Sequence, residues 1–167
     1  SDTVYVGTTN KITLKITKDQ KAKALKAFYA ELKKAMIDLA KKIVLDGEGA
    51  KKFIEITVIN AKTANSAKKI CFSIANSLLV KTAIAGEDAI WGRVIMAIGK
   101  TKINLKIENI KIYIQSVLLC ENGKAINTID DTKLSLALKR KTVNIKIDLG
   151  EGGKEFTVWT ADLTEDY

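Results

Sequence analysis

The chain has 167 residues and a formal net charge of +9, from 28 Lys or Arg against 19 Asp or Glu, and it contains no histidine, no proline and two cysteines. Without histidine these residues supply no Ser-His-Asp or Cys-His pair, no His-containing zinc site and no imidazole acid or base, and two cysteines make neither a Cys₄ site nor a disulfide framework. Hydrophobic residues at 47% suffice for one core, no apolar run approaches the ~20 residues of a membrane span, and no signal-peptide pattern opens the chain, which together with free thiols reads as cytoplasmic.

Val4–Val6 and Ile12-Leu14-Ile16 alternate with polar residues, the pattern of half-buried strands. A long amphipathic helix follows from about Asp19 to Leu45, with Leu25, Phe28, Tyr29, Leu32, Met36, Leu39 and Ile43 on an apolar stripe and lysines on the other faces. That pattern predicts a lysine-coated helix packed on a core. Asp46-Gly47-Glu48-Gly49 ends it, and Phe53–Asn60 is a strand with Ile54, Ile56 and Val58 on one face. Thr63–Asn76 reads as a helix through Ala67, Ile70, Cys71 and Ile74. Ser77–Gly86 reads as a less regular stretch before a short helix around Asp88–Ile98.

From Ile103 to Cys120 the pattern is strand-like, and Asn122-Gly123 is a hairpin signal. Thr132–Leu138 reads as a helix. Val143–Leu149 and Glu155–Trp159 read as a second hairpin around Gly150-Glu151-Gly152-Gly153. Strands and helices alternate without repeats or linkers, so the fold class is mixed α and β, and the hairpins argue against an all-parallel sheet.

The basic balance invites a nucleic-acid reading, since positive surface attracts phosphate. Only Arg93 and Arg140 are arginines, however, the lysines are dispersed, and aromatics at 6% are not interleaved with them. Nucleic acid is therefore not an expected partner, nor is a membrane. Asp46-Gly47-Glu48-Gly49 reads either as a polar helix-terminating turn or as two carboxylates facing a cationic ligand at close backbone approach. It lacks the spacing of a dinucleotide loop, and no Walker A lysine pattern occurs in the chain. Glu87 and Asp88 suit a helix N-terminus, with Trp91 as an anchor and Arg93 as a structural partner for a neighbouring carboxylate. Cys71 and Cys120 read as buried core thiols.

Several segments in order resemble the ornithine acetyltransferase, or glutamate N-acetyltransferase, family of arginine biosynthesis. They are Ser1-Asp2-Thr3-Val4, Ile43–Ala50 with Lys52-Phe53-Ile54-Glu55, Ser73-Ile74-Ala75-Asn76-Ser77, Leu79–Ala83, Gly86-Glu87-Asp88 with Trp91-Gly92-Arg93, and Trp159–Thr164. The resemblance covers essentially the whole chain. It implies a layered α/β sandwich, with a mixed or antiparallel sheet, related to self-processing amidohydrolases and aminopeptidases. It also implies a precursor that cleaves itself before a threonine to give an α and a β chain. That threonine takes acetyl from N-acetylornithine and passes it to glutamate in ping-pong order. Its own amino group serves as the base, and donors on the α chain stabilise the oxyanion.

By the same resemblance, residues 1–167 form a single domain, the C-terminal part of the β chain, with the nucleophile segment before it and a short tail after it. Ser1 is then not the nucleophile, and this stretch alone is inactive. Of the family's substrate-binding residues only Glu48 maps here, facing the ammonium-bearing substrate; Asp46 and Lys52 are its neighbours, and Lys51 stands where the family has threonine. No catalytic residue and no metal ligand fall in the chain. The resemblance implies no cofactor, with acetyl-CoA as a further acetyl donor if the enzyme is bifunctional. Its implied partners are the α chain and the N-terminal part of the β chain, in an α/β heterotetramer. The family's usual prolines are replaced by Leu78 and Ala89. A related self-processing amidase or peptidase, and a non-catalytic basic binding module, are the alternatives.

Overall fold

The computed structural model describes residues 18–89, 91–127, 129 and 131–167. The strands expected at Val4–Val6 and Ile12–Ile16 lie outside them. The chain divides into two compact units, Ser1–Leu39 and Ala40–Tyr167. Helix α1 (Lys18–Leu45) has the expected ends. Among the described residues of the first unit, Phe28, Tyr29, Met36 and Leu39 on the apolar stripe of this helix are exposed, Tyr29 by 62%. The burial expected of that stripe is therefore not found at these described residues.

In the second unit the centre is a six-stranded sheet in the order β4-β3-β2-β5-β1-β6. Its strands are β1 (Phe53–Ala61), β2 (Lys111–Ile114), β3 (Val117–Glu121), β4 (Lys124–Ala125), β5 (Thr142–Asp148) and β6 (Lys154–Ala161). β1 and β5 run parallel, and the other neighbours are antiparallel. The sheet is thus mixed, as the sequence led one to expect. Period-2 alternation puts Ile54, Ile56 and Val58 on one face, where they are fully buried. Across the ladder they meet Val143, Ile145 and Ile147 of β5. Burying each such isoleucine contributes roughly 1.5–3 kcal/mol, so this seam is a large share of what holds the unit together.

Helix α2 (Ala64–Ala75) lies over β1 and β6. It buries Ala67, Ile70, Cys71 and Ile74, the i, i+3, i+4, i+7 set that the periodicity marked. Thr63 and Ser66 form a reciprocal capping box at its start. Two further helices follow, α3 (Leu78–Ala85) and α4 (Trp91–Gly99), with α4 packed on α2. The opposite face of the sheet is polar and half-exposed. There Thr57 and Thr157 share a hydrogen bond of 3.0 Å, and the Trp159 indole N–H donates to Glu55 at 2.7 Å.

Four local expectations are corrected. Ser77–Gly86 is not irregular: it holds α3, whose Val80, Ala83 and Ile84 are buried at helical spacing. The strand-like run Ile103–Cys120 is a 3₁₀ turn (Ile107–Asn109) and then two strands, β2 and β3, which reverse at Gln115 with φ 53°. β5 and β6 are not a hairpin, because β1 is inserted between them and pairs with both. The intervening glycine loop instead caps the end of β1, with Glu151 and Gly152 N–H both donating to Asn60 O. Arg93 bonds the Leu79 carbonyl at 2.9 Å, not a carboxylate. The Asn122-Gly123 turn does join two strands, β3 and β4, with φ of 54° and 70° as a two-residue hairpin turn requires. Helix α5 (Asp131–Leu138) matches its expected span to one residue.

Candidate functional site

The loop Asp46–Ala50 joins the end of α1 to β1, and its form follows from the glycines. Gly49 has φ +68°, and a Cβ there would sit 2.9 Å from the backbone of Asp166 and Tyr167. A side chain at this position meets both the left-handed penalty and a collision with backbone. The turn is closed by Gly47 N–H to Val44 O at 3.3 Å and Ala50 N–H to Gly47 O at 3.1 Å.

The chain beyond β6 then clamps this loop from the outside. Asp162, 4% exposed, receives the backbone N–H groups of both Lys51 and Lys52 on one carboxylate oxygen, each at 2.9 Å. Its own N–H donates to Lys52 O at 3.1 Å. Two residues on, the Thr164 hydroxyl donates to Gly49 O at 2.6 Å. The exposed pair Lys51–Asp166, at 2.7 Å, adds a contact at the rim. The hydrogen bond to Asp166, and then its charge, raise the Lys51 pKa above the usual lysine value.

Beneath the loop, Lys52 turns inward and is 9% exposed. Its ammonium donates to Leu138 O at 2.8 Å, Glu87 Oε1 at 3.0 Å and Ile84 O at 3.2 Å. Leu138 and Ile84 lie in the last turns of α5 and α3, where the helix dipole favours a cation; Ile84 O also accepts the Glu87 N–H at 3.2 Å. All three donor directions of the ammonium are therefore used, which is what lets a charge sit inside the fold. Glu87, expected to serve a helix N-terminus, is the counter-charge of this lysine. It holds a left-handed φ of 56° to reach it.

Glu48, the residue expected to meet substrate, stands at the outer point of the loop. It is exposed and has no hydrogen-bond or ion-pair partner among the described residues. Asp46 is exposed beside it, whereas Lys52 faces the interior, so the neighbour expected to flank the carboxylate is part of its foundation. Sequence reasoning missed the roles of Asp162 and Thr164, although both lie in the Trp159–Thr164 segment. A charged residue directly after a strand was the one available signal. Cys71 and Cys120 are buried free thiols. Burial pushes Cys71 up to about 11, so it is a protonated thiol at neutral pH and a poor nucleophile.

A groove of about 450 Å³ runs beside the loop between Leu45, Lys51 and Lys141. Among the described residues no group of three or more His, Cys, Asp or Glu is placed to hold a metal ion. No helix among them is long and apolar enough to cross a membrane.

Fold and site together define a mixed α/β domain that holds a free carboxylate on a loop pinned from two sides. A solved structure of the arginine biosynthesis bifunctional protein ArgJ from Bacillus halodurans has the same fold. It aligns with a TM-score of 0.81 at 36% identity, over 91% of this chain and 70% of that one. The model of the ArgJ family matches residues 1–167, and the chain belongs to that family. Among its relatives, the arginine biosynthesis bifunctional protein ArgJ of Mesorhizobium japonicum is 43% identical over the whole chain, which covers 41% of that protein. That of Bradyrhizobium diazoefficiens is 45% identical over 86% of the chain and 35% of its own length. The chain thus spans about two fifths of the length of the relatives it matches.

Proposed function

We propose that this chain is one domain, the C-terminal part of the β chain, of an enzyme that transfers acetyl from N-acetylornithine to glutamate. The nucleophile is a threonine supplied by sequence other than these 167 residues. Its oxygen attacks the acetamide carbon, the ornithine amine leaves with a proton, and the amine of glutamate then displaces the threonine oxygen. Acetyl-CoA is a second acetyl donor, consistent with the word bifunctional in the relatives' names. The α chain and the rest of the β chain are the partners, in an α/β heterotetramer, and the free thiols fit a cytoplasmic enzyme.

The observation that carries this reading is a family match over all 167 residues together with the free, outward carboxylate of Glu48. That carboxylate forms a charge-assisted hydrogen bond to the ammonium of the substrate. In the complete two-chain enzyme Glu48→Ala is expected to raise the Michaelis constant roughly 10- to 100-fold, the range of a lost bond to a charged group. Self-cleavage is expected to proceed as before. Unchanged Michaelis constants for both donor and acceptor would show that Glu48 is not a substrate residue.

A further inference from the structure

We propose that Asp162 is a positioning residue for Glu48, holding the loop so that the carboxylate points in one direction; this rests on the reading of Glu48 given above. The two residues are far apart in sequence, yet Asp162 fixes the backbone three and four residues after Glu48. Both amides, of Lys51 and Lys52, converge on one oxygen at 2.9 Å. Successive N–H groups of an extended strand point to opposite sides. The carboxylate therefore holds a backbone kink at the entry to β1 that strand pairing alone does not supply.

The rest of the loop is held by the same terminal segment. Thr164 takes the Gly49 carbonyl at 2.6 Å, and the backbone of Asp166 and Tyr167 closes against Gly49 Cα. From Gly49 to Lys52 each residue has its backbone tied by hydrogen bonding or, on its preceding side, by the Gly47 turn. Glu48, just before this stretch, keeps a free side chain among the described residues. The other Asp162 oxygen, Oδ2, is buried and has no hydrogen-bond partner among the described residues. The ordering role of Asp162 therefore lies in its first oxygen, on which both amides converge.

The test is a double-mutant cycle in the complete two-chain enzyme, with N-acetylornithine as donor and glutamate as acceptor. Asp162→Asn keeps the shape and removes the charge from the two-amide acceptor. It is expected to raise the Michaelis constant about 5- to 10-fold, with the turnover number changed by less than about twofold. In the Glu48→Gln background the same substitution is expected to add less than about twofold, because residues acting through one another are not additive. Thr164→Val, which removes only the hydroxyl, is expected to give the same coupling on a smaller scale, and serves if the Asp162 variant fails to fold or to cleave itself.

A Michaelis constant left at the wild-type value by both Asp162→Asn and Thr164→Val overturns the proposal. So does an equal penalty with and without Glu48, which marks a purely structural role while leaving the reading of Glu48 intact. Should Glu48→Gln itself change nothing, that reading fails first, and this proposal falls with it.

Discussion

At the scale of single residues, the buried ammonium of Lys52 is the most consequential charge in the second unit. It joins the start of β1 to the last turns of α3 and α5 through two carbonyls and one carboxylate. Replacing it by an apolar side chain takes this donor from the Leu138 carbonyl and the counter-charge from Glu87, while Ile84 O keeps the Glu87 N–H, and breaking such a buried arrangement from one side is strongly destabilising. Lys52→Met is therefore expected to cost about 3 kcal/mol in urea unfolding of the chain. Glu87→Gln should cost only about 1 kcal/mol, since Glu87 is 40% exposed and water replaces part of what it loses. Equal midpoints for wild type and Lys52→Met would refute this account. The residue was visible in sequence only as one of two adjacent lysines before an apolar strand. The alternation of Ile54, Ile56 and Val58 continues back to Lys52 and not to Lys51, but which acceptors meet the ammonium is decided by the helix ends that lie below.

At the scale of elements, α3 begins at Leu78, with no proline to fix its first turn. Leu78 is the first residue of the helix, a position whose N–H has no intrahelical partner and where proline is favoured. Ser77 precedes it in extended conformation, with φ −78° and ψ 110°, and caps the helix by accepting from Val80 N–H at 3.4 Å. The chain thus starts the helix by capping rather than by a fixed φ. Leu78 is 65% exposed, and the residue before it already has the backbone a following proline demands. Leu78→Pro is therefore expected to stabilise the protein by about 0.5–1 kcal/mol through the unfolded chain's lost freedom. A lower melting temperature for this variant would show that the cap does not tolerate the ring. The helix itself escaped sequence reading because Leu78-Leu79-Val80 and Ala83-Ile84-Ala85 leave no polar face from which to read a period.

At the scale of the whole molecule, the chemistry and the chain are unequal in extent. The described residues place one exposed, unpaired carboxylate, Glu48, on a loop held by backbone hydrogen bonds, and they offer no nucleophile with an adjacent base. Purified by itself, the chain is expected to show no acetyl transfer from N-acetylornithine to glutamate above the uncatalysed rate. Robust turnover without an added partner would defeat the assignment of the nucleophile to sequence outside it. The positive charge has no concentrated target: lysines lie on α1, α2 and the sheet edges alike, and only two arginines accompany them.

The sequence by itself determined the class of fold, most helices and strands, the burial of both cysteines and the family, because these rest on periodicity, on cap and turn residues, and on short ordered segments. It also singled out Glu48. What only the tertiary structure decided is everything that depends on who sits beside whom. β1 divides β5 from β6 because a parallel pairing over a long connection leaves no local mark. Asp162 and Thr164 reach the Glu48 loop across more than a hundred residues, and Lys52 finds its carbonyls only once two helices have ended beside it. Hydrophobic patterns act along a few turns of chain, whereas hydrogen bonds to buried charge are satisfied by whatever the fold brings within 3 Å. That is why the loop was legible from the sequence and its supports were not.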